Sequence, residues 1–258
     1  MDHGKAAIHR PTRVVLDIET IGCSWAAFSE QEQRYLTKRA AQRDDDTTAE
    51  DVLALAPLTG QVALIGMRNP DSGHAKLYFL VPPDPKNPDT LWRDAALCAQ
   101  CEVQRVGDAM QCFDDEATLL RAFWDDLAHY AQIITFNGRS FDGPFVMLRS
   151  LIVGVVPSRN LAGPRYDDAH IDLADRLTFF GATRDRYTLD FWCRRLGIAS
   201  PKEHMSGDQF ERLWRAGALT QCCMYNLEDL RATTALADRY FATFGKIYRL
   251  RKNGEPGR

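Results

Sequence analysis

RVVLDIET, residues 13–20, sets an apolar run against two carboxylates. Val14, Val15, Leu16 and Ile18 suit a buried β-strand, predicted over residues 13–18. Asp17 and Glu19 stand at its C-terminal end, one residue apart. Strand side chains alternate between faces, so both carboxylates point the same way. Two like charges on one face repel, and burying them unpaired is costly. The rest of the chain must supply what offsets that cost.

Two later stretches bear on it. In TFNGRSFDGPF, residues 135–145, a buried strand (132–136) ends at Phe136, Asn137-Gly138 makes a turn, and Asp142 opens a helix. An N-terminal cap explains that aspartate equally well. In MYNLEDLRATTALADRY, residues 224–240, Tyr225 and Asp229 are four apart and share one helix face. Alone, that spacing also suits an ordinary half-exposed helix.

Together, four carboxylates arrive from a strand end, a strand-turn and a late helix, where ligand chemistry gathers in a mixed α/β sheet. Four carboxylates converging on one point cannot all stay unpaired. Divalent cations are the economical solution, and all-oxygen ligands favour Mg²⁺ or Mn²⁺ over Zn²⁺. Two ions roughly 3.5–4 Å apart stabilise the attacking and leaving oxygens of an in-line phosphoryl displacement.

The surrounding pattern is α/β. Residues 60–67 and 75–81 read as a hairpin, and 169–173 as a fifth strand. Helical spacing covers 27–42, 115–130, a segment opening at FDGPF, 188–197, 207–216 and 218–243. Residues 90–113 fit helix or strand, so 82–113 is left as an unplaced insertion. Strands first and alternation later predict a mixed sheet with helices on its faces, in one domain. Residues 1–12 read as a disordered leader and 246–258 as a tail.

A net charge of −3 argues against a binder driven by bulk positive charge. No apolar run has transmembrane length and the leader has no signal-peptide core, so the expectation is a cytoplasmic protein with no membrane partner. Seven cysteines give no disulfide framework. Cys98, Cys101 and Cys112 make half of a zinc knuckle, with no second pair nearby to complete it.

DIET, NGRSFD and YNLED resemble the three motifs of the DEDD 3′–5′ exonucleases, which share a ribonuclease H-like fold. Tyrosine before the fourth acid is similar to the DEDDy branch. HIDLAD (170–175), TLDFWCRRLGI (188–198) and MSGDQF (205–210) extend the likeness over about residues 13–245. The whole resembles stand-alone bacterial proteins related to the exonuclease domain of B-family DNA polymerases. No polymerase domain and no helicase-associated RNA-binding module is recognisable.

The resemblance implies a five-stranded sheet of order 3-2-1-4-5 and two divalent cations, Mg²⁺ or Mn²⁺. By motif position, Asp17 bridges both ions, Glu19 binds one and touches the attacking water, Asp142 contacts the second site, and Asp229 completes the first. Tyr225 orients the water; a phenol with a pKa near 10 is a poor base at neutral pH. Thr20 and Ile21 would line the terminal nucleotide. Asn137 would bond its sugar or phosphate, or be a plain turn residue. Phe141 would stack on a base or pack in the core, with packing favoured. His170 and Asp172 would support the site, or be a polar strand end.

The implied partner is the 3′ end of a single-stranded nucleic acid, DNA favoured, because a base must leave its stack to reach a recessed site. An exoribonuclease on the same fold and a non-catalytic nucleic-acid-binding protein are the alternatives. The basic segment from Lys246 to Lys252 reads as a solvated helix end or a phosphate track.

Overall fold

The computed structural model describes residues 12–42, 48–84, 87–91, 109–200 and 207–249, and the structural statements below concern those residues. The leader up to residue 11, Cys98, Cys101 and the end of the tail lie outside them, as do the side chains of residues 246–249.

The strands are β1 (Arg13–Gly22), β2 (Gly60–Arg68), β3 (Ala75–Leu80), β4 (Pro83–Asp84), β5 (Asn87–Leu91), β6 (Ala109–Phe113), β7 (Gln132–Thr135) and β8 (His170–Asp172). The α-helices are α1 (Glu30–Ala41), α2 (Glu116–Leu127), α3 (Asp142–Val153), α4 (Leu173–Leu177), α5 (Leu189–Leu196), α6 (Gly207–Arg215) and α7 (Leu219–Arg249). The main sheet has six strands in the order β6-β3-β2-β1-β7-β8. The five strands from β3 to β8 reproduce the expected 3-2-1-4-5 order. The correction is the sixth: Ala109–Phe113 lies parallel to β3 at the edge. Four of its five residues keep exposed surface, which blurs the apolar pattern that marks a buried strand.

β1 is central, antiparallel to β2 and parallel to β7. Val14, Val15 and Leu16 are consecutive and buried, so both faces of the strand are covered. α7 packs over β1 and β2, with α5 and α6 against it, while α2 and α3 form a second packed pair. Trp124 Nε1 donates to Ser150 Oγ at 2.8 Å, joining α2 to α3.

Two features of β1 differ from expectation and matter for the site. The strand runs on to Gly22, so Asp17 and Glu19 lie inside it rather than at its end. Its pairing with β7, however, is confined to Arg13, Val14 and Val15. From there on, the β7 side of β1 has lost its strand partner, and the carboxylates begin. A register shift between Glu19 and Thr20 marks a bulge against β2.

Candidate metal centre

Asp17 and Glu19 share one face of β1, as alternation requires. Asp229 reaches the same point from α7. One ligand oxygen from each of the three lies within 4.8 Å of the others, and all three residues are half-buried. Asp142 is buried at the first position of α3. The helix N-cap is Phe141, which makes no side-chain cap bond. The Asp142 carboxylate is committed across the sheet instead: Oδ1 accepts from the Ile18 N–H at 3.0 Å. It thereby satisfies the β1 edge that β7 has left.

The electrostatics record the crowding. The Asp17 carboxyl is raised well above its ordinary value, by burial first and then by the charges of Glu19, Asp229 and Asp142. Asp142 is pushed up to about 7: burial raises it, the N–H groups of Asp142 and Ile18 pull it back, and Asp172 and Asp229 raise it further. Such a set holds protons or cations in place of its missing counter-charge. Its donors are hard oxygens, which fit Mg²⁺ or Mn²⁺. Among the described residues no such set includes Cys112, which lies half-buried on β6.

Tyr225 sits one helical turn before Asp229, largely buried, with its ring centroid 6.3 Å from that of Phe210 on α6. α6 is itself pinned to the end of β1: Gly22 N donates to Glu211 at 3.0 Å and Arg215 donates to Gly22 O at 2.8 Å.

The expected substrate residues fall into two groups. Thr20 keeps partial exposure and donates its hydroxyl to Ala54 O at 2.7 Å. Ile21 is completely buried in the core, so its side chain has no surface with which to line a nucleotide. The strand does not end before it, as the sequence suggested, but carries it on under cover. Asn137 takes a left-handed conformation (φ 64°), the turn geometry that Asn tolerates. Gly138 follows by necessity, since a Cβ there would lie 2.5 Å from the Thr135 side chain. Phe141 packs against the core with its ring 5.5 Å from Phe145.

Asp172 supports this turn directly, accepting from Asn137 N at 2.9 Å and Arg139 N at 2.8 Å, and from Ala174 N at the start of α4. His170 bridges Thr135 Oγ1 and Leu161 O, both at 2.9 Å. Sequence reasoning passed over Asn226. Fully buried beside Tyr225, it donates from Nδ2 to Asp17 Oδ2 at 2.7 Å and to Glu19 at 3.4 Å. Its sequence signal was its place in YNLED, three residues before the last acid.

Comparison with known proteins agrees with this architecture. A family described as "Predicted 3'-5' exonuclease related to the exonuclease domain of PolB" matches residues 94–252. The span takes in Asp142, Tyr225 and Asp229; Asp17 and Glu19 lie before it. A DNA polymerase of Pyrococcus horikoshii is 26% identical over 132 residues, which are 46% of this chain and 11% of that protein. DNA polymerase 1 of Sulfurisphaera ohwakuensis is 29% identical over 140 residues, 49% of this chain and 15% of that protein. The chain thus corresponds to a small part of the curated relatives it matches. The family B DNA polymerase of Pyrobaculum calidifontis has a similar fold over 90% of this chain and 25% of its own, with a TM-score of 0.54 at 17% identity. The fold is ribonuclease H-like, a mixed sheet with helices.

Proposed function

We propose, for a chain that belongs to the family of predicted 3′–5′ exonucleases related to the exonuclease domain of PolB, that it hydrolyses phosphodiester bonds from the 3′ end of single-stranded nucleic acid. DNA is the favoured substrate and nucleoside 5′-monophosphates the products. The observation that carries this reading is the meeting of Asp17, Glu19 and Asp229 within one ligand sphere.

Two divalent cations, Mg²⁺ or Mn²⁺, would supply Lewis-acid stabilisation to the attacking and leaving oxygens. Asp17, Glu19 and Asp229 would hold them, with Asp142 contributing directly or through water. Tyr225 orients the attacking water through its phenol. Thr20 and Asn137 take the terminal nucleotide. Phe141, packed on Phe145, gives the turn before Asp142 its apolar backing. No described helix is long and apolar enough to cross a membrane.

The test is degradation of matched 5′-labelled single-stranded DNA and RNA with Mg²⁺, Mn²⁺ or EDTA, by the wild type and Asp17→Ala. A ladder shortening from the 3′ end, abolished by EDTA and by the substitution, is expected, with DNA the better substrate. Faster loss of RNA would make the protein an exoribonuclease. No cleavage of either by the folded protein would refute the catalytic reading and favour a binding role.

A further inference from the structure

We infer that Asn226 is a positioning residue for the Asp17–Glu19 pair, and that Gly66 is glycine to make room for it. The inference rests on the exonuclease reading and deepens it.

Three observations carry it. First, Asn226 is fully buried, yet its side-chain Nδ2 reaches both β1 carboxylates, at 2.7 Å from Asp17 and 3.4 Å from Glu19. Ionised carboxylates only accept hydrogen bonds, so in the charged state that binds cations the amide nitrogen must face them and Oδ1 must face away. Second, that Oδ1 is buried with no hydrogen-bond partner among the described residues. A polar atom left so is unfavourable, and is kept when the group it belongs to is needed elsewhere. Third, Oδ1 lies where a side chain would begin. Asp17 and Gly66 are register partners on β1 and β2, so they share a sheet face. A Cβ on Gly66 would stand 1.9 Å from Asn226 Oδ1 and 2.7 Å from Leu230 Cδ1. Any other residue at 66 would evict the amide.

The arrangement has a clear chemical use. Asp17 and Glu19 repel one another. A neutral donor shared between them holds both carboxylates in one orientation without neutralising the charge that cations need. An arginine or lysine in its place would compete with the cations, and a hydrophobic residue would leave the carboxylates free to splay.

The experiment is Mn²⁺ titration by calorimetry on metal-stripped wild type, Asn226→Ala, Asn226→Leu, Gly66→Ala and the Gly66→Ala/Asn226→Ala double variant. Each protein's unfolding is also followed in EDTA, and its kcat and KM measured on single-stranded DNA. Asn226→Leu occupies the same space without the donor, so a packing role predicts that it binds Mn²⁺ normally. Positioning predicts that Asn226→Leu, Asn226→Ala and Gly66→Ala each weaken Mn²⁺ binding roughly 10–100-fold, with kcat falling more than KM rises. It also predicts that Gly66→Ala adds little once Asn226 is alanine, because the amide is gone and only the flexible end of Leu230 must shift. Should Asn226→Ala fail to fold, Asn226→Leu and Gly66→Ala still decide. Wild-type Mn²⁺ affinity and kcat in Asn226→Leu, beside an active wild type, would overturn this inference alone. A wild type that neither binds Mn²⁺ nor shortens 3′ ends would overturn it together with the exonuclease reading.

Discussion

Asp142 Oδ1 accepts the Ile18 N–H at 3.0 Å, across 124 residues of sequence, at the place where β7 has parted from β1. A carboxylate stands in for a strand, and the same side chain joins the electrostatics of the site. Its proton affinity follows from that burial. The folded value of about 7 lies above the ordinary 3.8. Between those values the folded chain keeps a proton that the unfolded chain has lost. The resulting stability is full below about pH 4 and is lost as pH rises through 7. In EDTA, urea unfolding should show stability declining between pH 5 and 8. Asp142→Asn should remove its own share of that decline, at most on the order of 4 kcal/mol at about 1.4 per tenfold in proton affinity, and leave the share of Asp17. Asp142→Asn should also lose exonuclease activity.

Tyr225→Phe tests the phenol separately from the fold. The ring keeps its contact with Phe210 and only the hydroxyl is lost. The expected result is a kcat lower by roughly 10–100-fold with KM and melting midpoint little changed, as for the loss of other groups that orient a metal site. A water-positioning phenol also predicts no new limb in the pH–rate profile below pH 9; a limb at neutral pH would assign it proton transfer instead.

His170 should remain neutral well into acid. Its Nδ1 donates to the Leu161 carbonyl, which can only accept, so Nε2 takes the Thr135 hydroxyl. Burial, then the Arg139 charge, brings its pKa down to about 4 from 6.5. The unfolded chain therefore binds a proton first. The contribution is fully present above 6.5 and is lost as pH falls toward 4. A histidine titration followed by NMR should show one imidazole with a midpoint near 4, absent from His170→Gln.

Between α2 and α3, Glu116 and Arg149 form a buried ion pair, with Arg149 Nη2 2.5 Å from Glu116 Oε2. Glu116 also accepts from Val62 N at 2.8 Å, and Arg149 donates to Pro57 O at 2.9 Å. Removing one partner strands the other charge. Glu116→Ala should cost about 3–5 kcal/mol by denaturant unfolding. Replacing both residues with apolar side chains of similar volume should recover much of that loss.

Much of the fold was legible because the central strands are short apolar runs bounded by turn residues. The carboxylate face of β1 could be read from period two alone. The edge strand β6 could not, because exposure on an edge removes the contrast that periodicity needs. The site divides on similar lines. Acids in apolar surroundings announce a cost and invite a search for what meets it. Asn226 announces nothing, since an uncharged amide in a helix is commonplace. Its role exists only once β2 lies beneath α7, and the telling residue on β2 is a glycine, which has no side chain to read. Ile21 misled for a related reason: its position after the motif suggested the substrate, while a strand longer than expected took it into the core.

Asn226 meets Asp17 across 209 residues, and this spacing sets a timetable. The carboxylate pair is made well before the helix that completes its surroundings. Until residue 229 has emerged, no cation site of this kind can close. A nascent or clipped chain that stops short of α7 carries only two of the three clustered acids.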